Sequence, residues 1–267
     1  MRFLIALALA ALCITPTPAQ AHDADYFHSL GVRAYEKHDY KNAIENFNQA
    51  IALEPDSGET FHERGLAYVR AGQYDNAIRD FTEVVLLKSW RSGSALRYRG
   101  AIYARKGDYQ SAIADSSEAI RLDPKEHEYY EDRAEIYAAQ GNYEAAFADV
   151  NRLIRLHPTF ANARYERGLL YTQQRLFDRA IADFNRAIKL WHGSSLYPEA
   201  YVARGKAYSA EGYYVRAIQD YDLAIHQHGD YAPAYLERGL AKQRLGDASG
   251  AAADIARAKQ LDPGIDQ

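Results

Sequence analysis

The sequence predicts an all-α solenoid of seven stacked helix-turn-helix units. The first observation behind this is a series of small residues at a nearly fixed interval. Gly31, Gly65, Gly100, Ala134, Gly168, Gly205 and Gly239 are separated by 34, 35, 34, 34, 37 and 34 residues. A period of this length marks stacked repeats, not a globular enzyme core. The second is helical spacing of apolar residues on both sides of a turn: Tyr201, Gly205 and Tyr208 before it, then Tyr214, Ala217, Tyr221 and Ala224 after it. The third is proline punctuation at Pro55, Pro124, Pro158 and Pro263, each between units.

Within a unit the elements follow in order. The small residue lets the neighbouring helix approach closely, at some cost in helix propensity. Gly212 stands where the first helix needs a C-cap. The second helix then presents its apolar stripe, and the proline prevents its continuation. Neither hairpin can bury its stripe alone, so neighbours must stack. The expected units are about 24–57, 58–91, 93–126, 127–160, 161–194, 198–231 and 232–265, forming one elongated domain over 22–267 with no linker.

Aligned copies show a shared pattern: FHERGLAYVRAGQYDNAIRDF from Phe61, RYERGLLYTQQRLFDRAIADF from Arg164 and YVARGKAYSAEGYYVRAIQDY from Tyr201, with AIRLDP closing a unit at Pro124. This resembles the tetratricopeptide repeat, whose signature runs Trp or Tyr, Leu-Gly, Tyr, Ala, Phe, Ala and Pro. The resemblance covers residues 24–265. The Leu before the Gly is mostly Arg here, a common variant. The resemblance implies a right-handed superhelical solenoid whose first helices line a concave groove.

One correlation between positions stands out. Arg64, Arg99, Arg133, Arg167, Arg204 and Arg238 precede the small residue in six units, and Asp80, Asp115, Asp149, Asp183, Asp220 and Asp254 follow it by fifteen. The first unit has neither, with Leu30 and Asn46 instead. Positions that co-occur in this way predict six Arg–Asp bridges between the paired helices.

The N-terminus reads as a signal peptide over residues 1–21. Arg2 precedes the apolar run Phe3 to Ile14, then come Pro16, Pro18 and Ala19-Gln20-Ala21. Cleavage is expected after Ala21, giving a secreted or periplasmic protein, and the run is too short for a stable membrane span. Cys13 follows Leu12, not a small residue, so a lipoprotein signal does not fit. The mature chain has no cysteine, which excludes disulfides and thiol chemistry. Losing Arg2 takes the net charge from −4 to −5, against the basic face that nucleic-acid binding needs.

Two junctions run long: Lys88 to Ser94, and Lys189 to Ser195. The chain's two tryptophans, Trp90 and Trp191, sit in them. They are expected to cover the core where the proline turn is missing; the other reading is an aromatic contact for a partner.

If first helices line the groove, helical geometry picks its residues. His28, Val32 and Tyr35 come from the first unit, then His62, Leu66, Val69 and Arg70. Arg97 and Arg105, with Ala101 and Ala104, come from the third. The fourth supplies Glu128, Glu131 and Glu135, and the fifth Tyr165 and Leu169. Val202, Lys206, Leu240 and Arg244 follow. The groove thus starts apolar and aromatic, turns basic, then acidic. Such charge runs are either solvated faces or a device that orients a bound peptide, with Arg70, Arg97 and Arg105 suited to a carboxylate. The carboxylate clamp of chaperone-binding relatives would need Lys, Asn, Asn, Lys and Arg where His28, Val32, Glu63, Ser94 and Tyr98 stand. The asparagine ladder of the sugar-transferase superhelix is missing too, with Val32, Leu66, Ala101 and Leu169 in its place.

No phosphate loop or nucleophile motif occurs. His28 and His62 fall in equivalent slots, but first helices pack about 8–10 Å apart, so a shared zinc is not expected. The expectation is a non-catalytic scaffold of the cell envelope, without cofactor or metal, that holds a peptide or helix of another protein. A glycan or small-solute module and a self-assembling structural protein are the alternatives. Most of the 22 tyrosines occupy packing slots, which disfavours stacking on sugars. The Ala-rich last helix, Ala248 to Leu261, is expected to act as a polar cap for a monomer, or else to dock on another chain.

Overall fold

Each predicted hairpin forms from the elements expected of it. In the computed structural model, which describes residues 18–191 and 197–265, with side chains from residue 23, α1 (Pro18–Glu36) pairs with α2 (Tyr40–Leu53). α3 (Gly58–Arg70) pairs with α4 (Tyr74–Leu86), and α5 (Ser92–Arg105) with α6 (Tyr109–Leu122). Then come α7 (His127–Ala139) and α8 (Tyr143–Leu156), α9 (Ala161–Gln173) and α10 (Phe177–Leu190). The last pairs are α11 (Pro198–Ala210) with α12 (Tyr214–Gln227), and α13 (Ala232–Arg244) with α14 (Ala248–Leu261). The described residues hold no strand. α1 reaches back to Pro18, ahead of the first expected unit. Residues 1–17 of the expected signal peptide lie outside the described residues. The chain divides into two compact units, α1 to α6 ending at Leu122 and α7 to α14 beginning at Asp123. No described helix is long and apolar enough to cross a membrane.

The turn inside each hairpin follows from backbone sterics. A residue in the left-handed region reverses the chain after the first helix. Gly72, with φ of 73°, shows the pattern: its N–H donates to the Val69 carbonyl at 3.1 Å and the Gln73 N–H to the Tyr68 carbonyl at 2.8 Å. Gly107, Gly141, Gly212 and Gly246 fill the same slot. His38 and Arg175 occupy it with φ of 61° and 58°, although side chains disfavour that region. The second helices start on side-chain caps where the residue allows. Asp39 accepts from the Asn42 N–H and Asp247 from the Gly250 N–H.

In four hairpins the core is an aromatic ring set against a glycine: Phe47 on Gly31, Phe81 on Gly65, Phe184 on Gly168 and Tyr221 on Gly205. A Cβ on Gly65 would lie 2.7 Å from the Phe81 ring, and one on Gly205 would lie 2.5 Å from Tyr221. Phe81 and Tyr221 are wholly buried. Ser116 replaces the ring beside Gly100, and there a Cβ would meet nothing closer than 3.4 Å.

All six Arg–Asp bridges form. In each, Nε and an Nη donate to the two oxygens of one carboxylate, as with Arg64 and Asp80 at 2.8 and 2.7 Å and Arg99 and Asp115 at 2.8 and 2.7 Å. Arg133–Asp149, Arg167–Asp183, Arg204–Asp220 and Arg238–Asp254 repeat the geometry. The carboxylates are buried. The guanidinium also reaches the preceding hairpin, which sequence reasoning did not anticipate. Arg64 donates to Asn48, Arg99 to Thr82, Arg167 to Asn151, Arg204 to Asn185 and Arg238 to Asp222. Each acceptor lies seventeen residues after its own small residue. One arginine thus ties three helices.

Candidate partner-binding site

The first helices of the second unit leave an open cleft where the acidic run falls. Glu131 and Glu135 stand four apart on α7, and so share a face. Ala134 and Ala138 of α7 stand beside them, α8 contributes Val150, and α9 contributes Glu166, Leu169 and Leu170. These residues, with Asp132, Asn162 and Gln173, enclose about 510 Å³. The lining mixes apolar side chains with carboxylates and amides in nearly equal share. Burial, and then the charges of Glu131 and Glu135, push the Glu166 carboxyl up to about 7. A cation entering here would offset that mutual repulsion. Glu166 is absent from the predicted groove because it lies two before Gly168, one step off the face assumed. The signal available in the sequence was the recurrence of acid at that slot, in Glu63, Asp132 and Glu237.

In the unit from α1 to α6, two arginines present positive charge. Arg70, exposed at the end of α3, donates from Nε to the Tyr35 hydroxyl at 3.3 Å. Arg105 lies over the Tyr74 ring at 5.3 Å. Neither has a carboxylate partner among the described residues. Tyr98 stacks on Phe81 with ring centroids 5.7 Å apart and keeps its outer face exposed. The other cations of this stretch are largely committed: Arg91 to Glu59 at 2.9 Å, Arg99 to Asp115, and Lys106 to Asp75 at 2.6 Å. The basic run is therefore mostly structural.

Several predicted groove residues serve packing. His62 is buried, with Nε2 bonded to the Ser94 hydroxyl at 2.9 Å and its ring against Phe81 and Tyr98. His28 makes the equivalent bond from Nδ1 to Thr60 at 3.1 Å. These two histidines connect successive first helices instead of facing a ligand. Val32, Tyr35, Leu66 and Val69 are half-buried against the cores of the first unit, and Leu169 and Tyr165 against one in the second. Val202 is buried. Arg97 and Glu128 are half-buried on their helices, and Glu135 is exposed. Among the described residues no three His, Cys, Asp or Glu side chains are grouped to hold a metal.

The tryptophans divide. Trp191 stacks on Tyr197 at 4.2 Å and leans on Tyr165 at 5.7 Å, covering the core as expected. The rest of its loop, 192–196, lies outside the described residues. Trp90 does not cover the core: it is 78% exposed, with the Arg91 guanidinium over its ring at 4.3 Å. No aromatic residue follows Trp90 at the six-residue spacing that places Tyr197 under Trp191.

Comparisons with known proteins agree with this geometry. Family profiles described as tetratricopeptide repeat match residues 136–204, and 62–127 with 107–159; one described as TPR repeat matches 31–72. A tetratricopeptide repeat protein from Parabacteroides merdae superposes with a TM-score of 0.72 at 20% identity, covering 90% of this chain and 94% of that one. The C-terminal part of a TPR repeat-containing protein from Cytophaga hutchinsonii gives 0.67 at 21%, covering 90% and 96%. The protein MamA gives 0.53 at 25% over 62% of this chain and 96% of its own. No curated protein matches the sequence.

Proposed function

Since the chain belongs to the tetratricopeptide repeat family, whose stacked hairpins form extended binding surfaces, we propose that it is a non-catalytic scaffold for protein–protein interaction in the cell envelope. It holds a peptide or helix of another protein against its first helices. The envelope assignment rests on the signal-like N-terminus, with cleavage after Ala21 and no stable membrane insertion afterwards. The observation that carries the binding mode is the cleft of about 510 Å³ between α7 and α9. Its mixed lining, carboxylates beside apolar side chains, suits a segment presenting a Lys or Arg beside an apolar residue. The first unit, with Arg70 and Arg105 uncommitted to any carboxylate, suits an acidic stretch.

The test is an affinity capture from the envelope fraction with three forms: native, Glu131/Glu135/Glu166→Gln, and Arg70/Arg105→Glu. The native chain is expected to retain a defined partner that the glutamine variant loses. Capture of the same partner by all three forms would place binding elsewhere, and capture of none would remove the adaptor reading.

A further inference from the structure

The end of α4 departs from its siblings in a way the repeat does not require. Twenty-one residues after the small residue, the other units carry Ala52, Arg121, Arg155, Lys189, His226 and Gln260, whereas the second carries Leu86. Twenty-five residues after it, the others carry Asp56, Lys125, Thr159, Gly193, Asp230 and Gly264, whereas the second carries Trp90. The repeat thus provides its own control: these slots are otherwise polar or small. Leu86 is 67% exposed and Leu87 37%, so with Trp90 they place three large apolar side chains within five residues of chain. Leu87 fills a slot that is also Leu in Leu53, Leu122, Leu156, Leu190 and Leu261, so the departure lies in Leu86 and Trp90, which extend it into a contiguous exposed apolar group of the kind that marks contact surfaces.

The patch is fixed in place. Lys88 takes φ of 51°, and its N–H donates to the Val85 carbonyl while the Ser89 N–H donates to Val84, which ends α4 without a proline. Trp90 rests on Arg91, and Arg91 is held by Glu59 at 2.9 Å and Glu63 at 3.4 Å. An aromatic side chain anchored in this way loses little entropy on being covered.

The charges around the patch select its occupant. Glu83 lies one turn before the two leucines and Lys88 directly after them; both are exposed, and neither makes an ion pair among the described residues. An anionic bilayer would be opposed by Glu83 and Glu59. A strongly acidic or basic partner would meet one favourable and one unfavourable charge. A surface with an apolar centre and an unpaired charge of each sign on either side is complementary to itself under a two-fold rotation. We propose that a second copy of this chain covers Leu86, Leu87 and Trp90, with the axis between Glu83 and Lys88, so that Lys88 meets Glu83 of the partner subunit. Self-association then belongs to the second hairpin and not to α14. The solvent side of α14 carries Ala252, Ala253, Ala256, Arg257 and Gln260 and no exposed large apolar residue, as suits a cap.

Light scattering of the purified chain over a wide concentration range tests this. The native chain is expected to reach a dimer mass. Leu86→Glu and Trp90→Asp are expected to weaken dimerisation by about tenfold or more, with melting unchanged at concentrations where the native chain is itself monomeric. Lys88→Glu and Glu83→Lys are each expected to weaken it, and the two together to restore it. The Trp90 emission, read in a Trp191→Phe background, is expected to shift to shorter wavelength on association. A monomer mass at every concentration would overturn the proposal. So would a dimer indifferent to Leu86→Glu, or one lost only with Ala252→Glu. A monomer that sediments with phosphatidylglycerol vesicles would assign the patch to lipid instead.

Discussion

The guanidinium of Arg204 donates to both oxygens of Asp220, from Nε at 2.8 Å and from Nη2 at 2.5 Å, while Nη1 donates to Asn185 in the preceding hairpin at 2.6 Å. Asp220 is buried, and burial raises its carboxyl even though Arg204 opposes the shift. Removing the arginine strands a buried charge. Arg204→Leu is expected to cost about 3–5 kcal/mol, and Arg204→Leu with Asp220→Leu to recover much of it. Denaturant melts of the single and double variants read both values.

Asn185→Ala removes only the bond between hairpins. It should cost about 0.5–1.5 kcal/mol. A loss as large as that of Arg204→Leu would mean that the bond between hairpins, and not the bridge within one, holds the second unit together.

The glycine slots should respond in opposite directions. Gly205→Ala forces a Cβ into the Tyr221 ring and is expected to cost about 1–3 kcal/mol. Gly100→Ala meets only ordinary contacts on α5 and is expected to gain about 0.5–1 kcal/mol from helix propensity. Thermal melts that move the same way for both would contradict the packing described.

Arg175 pays a steric cost in the turn between α9 and α10, where five other hairpins have glycine. Arg175→Gly is expected to stabilise by about 0.5–1 kcal/mol, the left-handed penalty less the added chain entropy of glycine.

Glu166 gives a pH signature. Its carboxyl titrates near 7 in the folded chain against an ordinary value of 4.5, with burial the main cause. The folded state therefore binds more protons than the unfolded state between these values, so this group's contribution to stability falls as pH rises from about 4.5 to 7. Glu166→Gln should remove that slope and, at pH 8, be more stable than native by about 1–3 kcal/mol. Equal pH dependence of the two melts would show that the carboxyl is solvated.

The period made the hairpins legible, and the paired columns of arginine and aspartate made the bridges legible, because each column holds one residue type. The acceptors at Asn48, Thr82, Asn151, Asn185 and Asp222 form a column as well, but their identity changes from unit to unit and only their polarity persists. The candidate site was less legible. Helical geometry gives the direction of Val32, Leu66 or Tyr165, but not how far the neighbouring helix covers them. Glu131, Glu135 and Leu169 do line the cleft, because they stand where α7 and α9 leave space. Trp90 and Trp191 look alike in sequence and differ because Tyr197 lies under one ring and Arg91 under the other.

The three-way arginine contact also bears on how such a chain can lengthen. Each unit from the second onward carries its own arginine and aspartate, and each of the first six offers a polar acceptor at one fixed position. A duplicated unit inserted between two others would find a donor on one side and an acceptor on the other without further mutation. The couplers are interchangeable, and so the number of hairpins can change by tandem duplication while every new junction arrives already bonded.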